Sequence, residues 1–167
     1  MQHNLFNSNK IKIDRSNISG RGVFAKEDIK LGTLLEQCHF IIPEKDHGGQ
    51  DANLRRYMFC FPEKDKAEEI QKEKTKIDMA KLLSYNEDFK DKAETILKLG
   101  YEKINNLLNY AVVLGHGMIY NHSHEPNVGY KFNKKDFCFD YYTIKDVNKN
   151  EELFINYGNT ENRKDLK

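Results

Sequence analysis

Short apolar runs separated by glycine and proline mark the first quarter of the chain. Apolar and polar residues alternate at 11–13, an apolar run resumes at 23–25 after a glycine turn at 20–22, and a longer run at 34–42 ends before Pro43. Alternation with a period of two, bounded by glycine or proline, is typical of β-strands. The pattern therefore predicts strands in this part of the chain, the longest of them over residues 34–42.

The middle of the chain changes to a helical pattern. Residues 62–110 are rich in Lys and Glu and contain no proline after Pro62. Apolar residues recur there near helical spacing: Ile70, Ile77, Met79, Leu82, Leu83, Phe89, Ala93, Ile96, Leu97, Tyr101, Ile104, Leu107 and Leu108. Ser84 and Glu87 resemble a capping box, which predicts a break between two helices near residues 84–88. Both charge signs are dense, which favours solvated amphipathic helices with one buried stripe over a disordered or partner-binding insert.

Short strand-like runs return after Ala111. Residues 140–144 and 153–157 are apolar or aromatic, and they flank a polar turn at 147–150. The predicted fold class is therefore mainly β (α+β), with a two-helix insertion at 62–110. A chain of 167 residues can bury one core but hardly two. We therefore expect a single domain over residues 1–167.

Composition and charge exclude several classes of partner. The 27 Lys and Arg residues against 26 Asp and Glu residues leave a net charge of +1, so no global field attracts the chain to nucleic acid or anionic lipid. No apolar run approaches the roughly 20 residues of a membrane span, and the polar start lacks the features of a signal peptide. We expect a cytoplasmic or nuclear protein without direct nucleic-acid or membrane partners. Cys38, Cys60 and Cys138 lie in apolar surroundings, which favours buried free thiols over disulfides or zinc ligands.

The most unusual segment lies between residues 114 and 127, with the sequence LGHGMIYNHSHEPN. One interpretation is a transition-metal site made by His116, His122 and His124, because alternate residues of a strand share one face. The Asn and Ser residues instead favour a tightly hydrogen-bonded loop that presents Asn121 and His122 to a ligand. A solvated loop is the third interpretation, and the residues alone leave all three open.

A glycine motif lies near the amino terminus. The glycines of Gly20-Arg21-Gly22 allow positive φ and a close approach of the backbone to a ligand, and the amides there could hold a carboxylate or a phosphate. Alone, the motif is more simply explained as a glycine hairpin. A G-x-G without a following helix is not a dinucleotide fingerprint.

Three motifs in this order resemble the SET-domain lysine methyltransferases. Residues 20–25 (GRGVFA) match the family's G-x-G turn, residues 121–127 (NHSHEPN) fill every position of its central Asn-His-Ser-x-x-Pro-Asn motif, and residues 151–158 (EELFINYG) match its E-E-L-x-x-x-Y-G. The resemblance covers nearly all of residues 11–158 apart from the helical block, and it is closest to short viral and bacterial members without accessory modules. It implies a SET-domain β-fold in which the central segment and the strand of the terminal tyrosine cross in a pseudoknot.

The resemblance also implies a cofactor site. The enzyme would use S-adenosylmethionine to methylate a protein lysine, with a histone tail as the family's default substrate and no metal. The residues that would bind the cofactor are Gly20, Arg21, Gly22, Val23, Asn121, His122 and Tyr157. Of these, the first four would receive the methionine end through backbone groups, and Tyr157 would lie beside the sulfur as the catalytic tyrosine.

Three further tyrosines are implied on the substrate side. Tyr57, Tyr130 and Tyr142 would contact the substrate lysine, and Tyr57 would join Tyr157 as a catalytic residue. For Tyr57 and Tyr130, packing in a strand core is the alternative.

The chain departs from the family pattern at two places. Asn150 stands where the family usually has glycine, and we expect the turn to survive because asparagine tolerates the left-handed conformation. Residues 159–167 contain no cysteine and no aromatic residue, so we expect no zinc-binding module after the motifs. The missing wall of the lysine channel would come from the helical block or from a second subunit in a homodimer.

Two other classes of function stay open at this point. A catalytically silent SET module would bind a peptide or cofactor without turnover. A metal-binding protein would use the three histidines of the central segment.

Overall fold

The structure, a computed structural model, describes residues 5–43, 57–63 and 65–158. Most regular elements in this part of the chain are strands: β1 (Ile11–Arg15), β2 (Arg21–Ala25), β3 (Leu34–Cys38), β4 (Phe40–Ile41), β5 (Phe59–Pro62), β6 (Leu108–Val113), β7 (Asn121–His122), β8 (Val128–Asn133), β9 (Cys138–Thr143) and β10 (Glu152–Ile155). The α-helices are α1 (Ala67–Leu83) and α2 (Lys90–Asn106). The predicted mainly β class with a two-helix insertion is confirmed.

The chain divides into two compact units. The first unit combines Met1–Ile41 with Val112–Lys167, and the second unit is Ile42–Ala111. The three sequence motifs all belong to the first unit, and the helical block belongs to the second. The expectation of a single domain over 1–167 stays a prediction.

One sheet of the first unit brings the three motifs together. Its strand order is β1-β2-β10-β7. The hairpin β1-β2 pairs Ile11 with Ala25 at one end, β10 pairs antiparallel with β2, and β10 pairs parallel with β7 through Phe154 and Asn121. The strand of the last motif therefore lies between the strands of the first and the central motifs.

The second sheet of the first unit has the order β3-β9-β8, and all its pairs are antiparallel. Its buried side chains and those of the first sheet form the core: Val23, Leu35, Val128, Phe139, Tyr141, Leu153 and Ile155 are each at most 1% exposed. Full burial of one such aliphatic side chain contributes about 1.5–3 kcal/mol. The core thus fixes the sheet that carries the motifs.

The single strand predicted over residues 34–42 is wrong. The chain breaks at His39, because β3 pairs with β9 as far as Cys38 whereas β4 pairs with the end of β6 through Phe40 and Val113. The carbonyl of His39 accepts a hydrogen bond from the Leu114 N–H at 2.8 Å. Two different pairing partners therefore divide one apolar run.

Turn predictions were partly correct. Asn150 has φ +67°, the left-handed conformation expected for it, and its N–H donates to the carbonyl of Ala25 at 2.8 Å. In the glycine motif the bend covers residues 17–20, and only Gly20 has positive φ, at +51°. Gly22 lies within β2 and does not have positive φ, so the turn does not require a glycine at this position.

The second unit contains the helical hairpin. The break between the helices lies where it was predicted, but the capping box is wrong. Ser84 ends α1 and its hydroxyl donates to the carbonyl of Lys81, whereas the side chain of Asn86 accepts from the Asp88 N–H and begins the 3-10 turn before α2. In the same unit, β5 pairs with the start of β6.

The buried stripe of the hairpin is narrower than predicted. The buried residues of the two helices are Ile70, Glu73, Ile77, Ala80, Ala93 and Gly100. Several predicted stripe residues are exposed: Met79, Leu82, Leu83, Phe89, Ile96 and Tyr101. The buried residues of α2 are small because the two helices approach closely. A Cβ on Gly100 would lie 2.8 Å from Ile77 Cγ1.

The buried carboxylate of Glu73 is neutralised by Lys76 and Lys103 at 2.8 and 2.9 Å.

The cysteines are free thiols, and two of them are buried as predicted. Cys38 and Cys138 lie in the core, but Cys60 is exposed, so the prediction of burial is wrong there. No helix in the described residues is long and apolar enough to span a membrane.

Candidate functional site

The centre of the candidate site is a hydrogen-bonded junction between Asn121 and Glu152. The Asn121 side-chain amide donates to Glu152 Oε1 at 2.8 Å and to the carbonyls of Ser19 and Arg21, both at 3.3 Å. Glu152 Oε2 accepts from the Ser16 hydroxyl at 3.0 Å. One buried amide and one carboxylate thus connect the central motif, the last motif and the β1-β2 loop.

Gly22 is required at this junction by close packing. A Cβ built on Gly22 would overlap Glu152 Oε1 and would lie 3.2 Å from Asn121 Nδ2. Gly20 is different, because a Cβ there would meet nothing within 4 Å. The first glycine of the motif therefore serves the turn, and the second makes room for the carboxylate.

Asn127 fastens the far end of the central motif to β10. Its amide donates to the carbonyl of Glu152 at 2.8 Å and to the Glu151 carboxylate at 3.2 Å, and its Oδ1 accepts from the Phe154 N–H at 2.7 Å. The side chain is 2% exposed. The loop 121–127 is therefore held at both ends, as expected for a hydrogen-bonded loop and not for a solvated one.

Tyr157 lies beside this loop. Its hydroxyl donates to the carbonyl of Tyr120 at 2.6 Å, and its backbone N–H donates to His122 Nδ1 at 3.2 Å. The rings of Tyr157 and His122 have their centroids 5.2 Å apart. Because Nδ1 accepts, a neutral His122 ring carries its proton on Nε2. Two of the residues assigned to the cofactor thus contact each other.

An aromatic cluster continues from this point. The ring of Tyr120 stacks on that of Tyr141 at 5.2 Å and 10°, and Tyr130 lies 5.8 Å from Tyr141. The Tyr130 hydroxyl donates to the carbonyl of Asn156 at 3.4 Å. Burial is the main cause that raises the pKa values of Tyr120 and Tyr141 above the ordinary tyrosine value, so both hydroxyls are neutral. Tyr120 and Tyr141 are buried, so the partly exposed rings in this region are those of Tyr130 and Tyr157.

The other predicted site residues are placed differently. Tyr142 follows Tyr141 on β9 and therefore faces away from the cluster, where its ring lies against Gly129. Val23 has its side chain in the core, so only its backbone is available. Tyr57 is an exposed residue of the second unit. The roles assigned to these three residues stay predictions, as does the wall from a second subunit.

Of the three histidines proposed as metal ligands, His122 and His124 have ring centroids 4.7 Å apart, but His116 does not join them. Within the described ranges, no group of three or more His, Cys, Asp or Glu side chains could hold a metal ion. His116 Nδ1 instead lies 3.0 Å from Glu36 Oε2. That hydrogen bond, more than the charge of Glu36, raises the pKa of His116, while burial opposes the rise. The structure therefore does not support the metal interpretation.

Sequence reasoning missed three residues of the site. Glu152 was noticed as part of a motif but received no role, because its contacts with Ser16 and Asn121 depend on strand order. Tyr141 could have been found from the antiparallel register, since it lies opposite Tyr130. Nothing in the sequence assigned Glu36 to the site, because a carboxylate in an apolar strand is expected to face solvent.

Comparisons with known proteins concern the family and the fold of the chain. The family model for the SET domain matches residues 20–158 of the chain. A histone-lysine N-methyltransferase of Schizosaccharomyces pombe, specific for lysine 37 of histone H3, is 40% identical over 47 residues. That match covers 28% of this chain and 32% of the relative, so it spans about a third of the relative's length.

A solved structure supports the same fold. It is the crystal structure of a Plasmodium falciparum protein that is provisionally named a histone methyltransferase. The TM-score is 0.56 at 21% sequence identity, and the alignment covers 93% of this chain and 99% of that chain. At this identity the likeness concerns the fold, and it confirms the predicted SET-domain architecture.

Proposed function

The chain belongs to the SET-domain family, and from this premise we propose that it transfers a methyl group from S-adenosylmethionine to the side-chain nitrogen of a protein lysine. The observation that carries the proposal is the arrangement of Tyr157 and Tyr120. A tyrosine hydroxyl and a backbone carbonyl meet beside the junction at which all three motifs converge. The proposal explains why the central motif is hydrogen-bonded to the β1-β2 loop, about 100 residues earlier in the chain.

The residues present fit this cofactor. Its methionine end carries a carboxylate and an ammonium group, and the bend at residues 17–20 exposes backbone groups without a side chain at Gly20. Its sulfonium is cationic and is stabilised by carbonyl oxygens and aromatic faces. The Tyr120 carbonyl and the rings of Tyr157 and Tyr130 supply such groups. The Arg21 carbonyl accepts from Asn121, and the His122 ring lies beside that of Tyr157.

Lysine must lose its proton before it can attack. With a free pKa of about 10.4, keeping the amine neutral at pH 7 costs about 4–5 kcal/mol at 1.36 kcal/mol per unit. When bound, the cofactor supplies an electrophilic methyl group whose sulfonium charge disfavours a second cation nearby. The partly exposed rings of Tyr130 and Tyr157 would lower the lysine pKa further by desolvation. A dedicated general base is therefore not required.

Tyr157 would orient the attacking amine. Its O–H is donated to the Tyr120 carbonyl, so the lone pairs of its oxygen are left to accept an amine N–H. Such a hydrogen bond would hold the amine in one orientation beside Tyr157. Alignment of this kind is the main source of rate in a displacement between two bound groups.

The proposed substrate class is a lysine-containing protein, with histones as the first to be tested. The relative from S. pombe is named for a histone lysine. The chain's net charge of +1 provides no global attraction for a basic tail. Recognition of such a tail would therefore depend on local contacts near the tyrosine cluster.

The experiment is a methyl-transfer assay with labelled S-adenosylmethionine over a panel of histones and other cellular proteins. We expect label on lysine in at least one protein with the wild type, and strongly reduced label with Tyr157→Phe. A matched control is Tyr85→Phe, which removes a hydroxyl from an exposed tyrosine of the second unit that was assigned no role in the site. If cofactor binds with micromolar affinity but no protein is labelled, the chain is a silent binding module and the proposal is wrong.

A further inference from the structure

A carboxylate lies buried behind the tyrosine cluster, outside all three motifs. Glu36 is 2% exposed, and it follows the fully buried Leu35. Adjacent residues of a regular strand face opposite sides of the sheet, so one of the two would normally face solvent. The register between β3 and β9 shifts between Leu34 and Glu36, which marks a β-bulge. The bulge turns the carboxylate into the core, a use of bulges that is common next to active sites.

Two hydrogen bonds of Glu36 lead to the turn that precedes Asn121. Its Oε2 accepts from the His116 backbone N–H at 3.3 Å and lies 3.0 Å from His116 Nδ1. A Cβ on Gly115, which has φ +80°, would lie 3.5 Å from the same oxygen. The carboxylate therefore holds the 3-10 turn Gly115–Met118 by two hydrogen bonds at its second residue.

The same turn determines where Tyr120 lies. The carbonyl of His116 accepts from the Ile119 N–H at 2.7 Å, which closes the turn one residue before Tyr120. The Tyr120 ring is 1% exposed and stacks on Tyr141, the residue opposite Glu36 across the β3-β9 pair. Burial, and after it the charge of Glu36, raise the pKa of Tyr120 above the ordinary tyrosine value.

We infer that Glu36 is a positioning residue for the proposed methyl transfer: through the His116 turn it fixes the Tyr120 carbonyl that holds the Tyr157 hydroxyl. The inference rests on the proposed function. Burying a carboxylate without a full counter-charge is unfavourable, and an apolar residue in its place often stabilises a fold. A role in positioning explains why a bulge brings this charge to the cluster.

The test compares three variants. Glu36→Leu removes the acceptor with little change in volume, and Glu36→Gln keeps an oxygen that can accept from His116. The control is Asp140→Leu, which removes another buried carboxylate from the same sheet. Asp140 accepts from Gln37 and Asn133, and among the described residues it makes no hydrogen bond to the turn before Tyr120. Urea denaturation of each variant shows how much stability is lost.

The kinetic result expected for a positioning residue is a selective loss of kcat. Glu36→Leu should lower kcat about tenfold or more, the effect of one misplaced polar contact, with KM for cofactor and peptide within about twofold of the wild type. Glu36→Gln should recover most of the rate, and Asp140→Leu should keep kcat within about twofold. Equal losses of kcat in Glu36→Leu and Asp140→Leu would assign the effect to stability and overturn the inference.

A spectroscopic measurement decides the inference without activity. In protein labelled with ¹³C at the tyrosine ζ carbon, the signal that Tyr157→Phe removes reports the hydrogen bond of the Tyr157 hydroxyl. We expect that signal to move in Glu36→Leu and to stay in Asp140→Leu. An unmoved signal in a folded Glu36→Leu protein would overturn the inference. A Glu36→Gln protein that loses kcat although its signal does not move would overturn it as well. If the wild type methylates no protein, the proposed function fails while this signal still tests the positioning of Tyr157.

Discussion

Gly22→Ala should destabilise the protein, although alanine is normally favoured over glycine in a strand. The new Cβ would occupy the position of Glu152 Oε1 and would lie 2.8 Å from Glu152 Cδ. The backbone of β2 cannot move away, because it is paired on both edges, with β1 and with β10. The Glu152 side chain must therefore rotate, and it then leaves Asn121 and Ser16.

The magnitude follows from the two hydrogen bonds that are lost. Glu152 accepts from Asn121 at 2.8 Å and from Ser16 at 3.0 Å, and hydrogen bonds to a charged group contribute about 1.5–3 kcal/mol each. Both are partly exposed, so we take the lower value, about 3 kcal/mol for the pair. Alanine regains about 0.5–1 kcal/mol relative to glycine. The net loss should be about 2 kcal/mol, a large part of a typical domain stability of about 5–15 kcal/mol.

A double-mutant cycle in urea measures whether the loss arises at Glu152. Gly22→Ala, Glu152→Ala and the double variant are compared by their free energies of unfolding. In the Glu152→Ala background the Cβ has room, so Gly22→Ala should there be neutral or slightly stabilising. Effects that add to within about 0.5 kcal/mol would refute the explanation of the second glycine.

Three further predictions concern other parts of the chain. Gly100→Ala should destabilise the protein by about 1–2 kcal/mol in thermal or urea unfolding, because overpacking against Ile77 Cγ1 at 2.8 Å exceeds the helix propensity gain of about 1 kcal/mol; a gain in stability would contradict the close helix contact. Tyr157→Phe should lower kcat for methyl transfer at least about tenfold and leave the calorimetric Kd for cofactor within a few fold, since the hydroxyl acts on the reacting atoms; full activity on a confirmed substrate would remove that role. The hydrogen bond and charge of Glu36 raise the folded pKa of His116, so the pair's contribution to stability is fully present below the unfolded value of about 6.5 and is lost as pH rises through the folded value. The difference in unfolding free energy between wild type and His116→Gln should therefore shrink as the pH rises above about 6.5 and through the raised folded pKa. A constant difference would show that the pair is not coupled to protonation.

The motifs made much of the fold predictable, because they encode backbone requirements. Asn150 adopts the positive φ expected for the residue just before the last motif. The helical pattern predicted the two helices and the break between them. Asn121 and Tyr157 were assigned to one site from family resemblance. In the structure, Tyr157 contacts Tyr120 and His122, the residues on either side of Asn121. These features depend on residues close in the sequence or on motifs of fixed order.

The remaining features depend on pairings between distant segments. The break at His39 arises because β3 and β4 have different partners, which an apolar run cannot reveal. Asn86 replaced Ser84 as the cap because the helix begins later than the capping-box spacing suggested. Glu36 and Tyr141 become site neighbours only through the register of β3 with β9, including its bulge.

The measurement that tests the central claim most directly is a crystal structure of the protein with S-adenosylmethionine and a lysine peptide that it methylates. We predict that the methionine end of the cofactor lies against the bend at residues 17–20 and the Asn121 junction. The methyl carbon should lie about 3–3.5 Å from the lysine nitrogen, beside the Tyr157 hydroxyl and the Tyr120 carbonyl. A cofactor bound away from the junction, or a lysine nitrogen that enters without contact to Tyr157, would contradict the account.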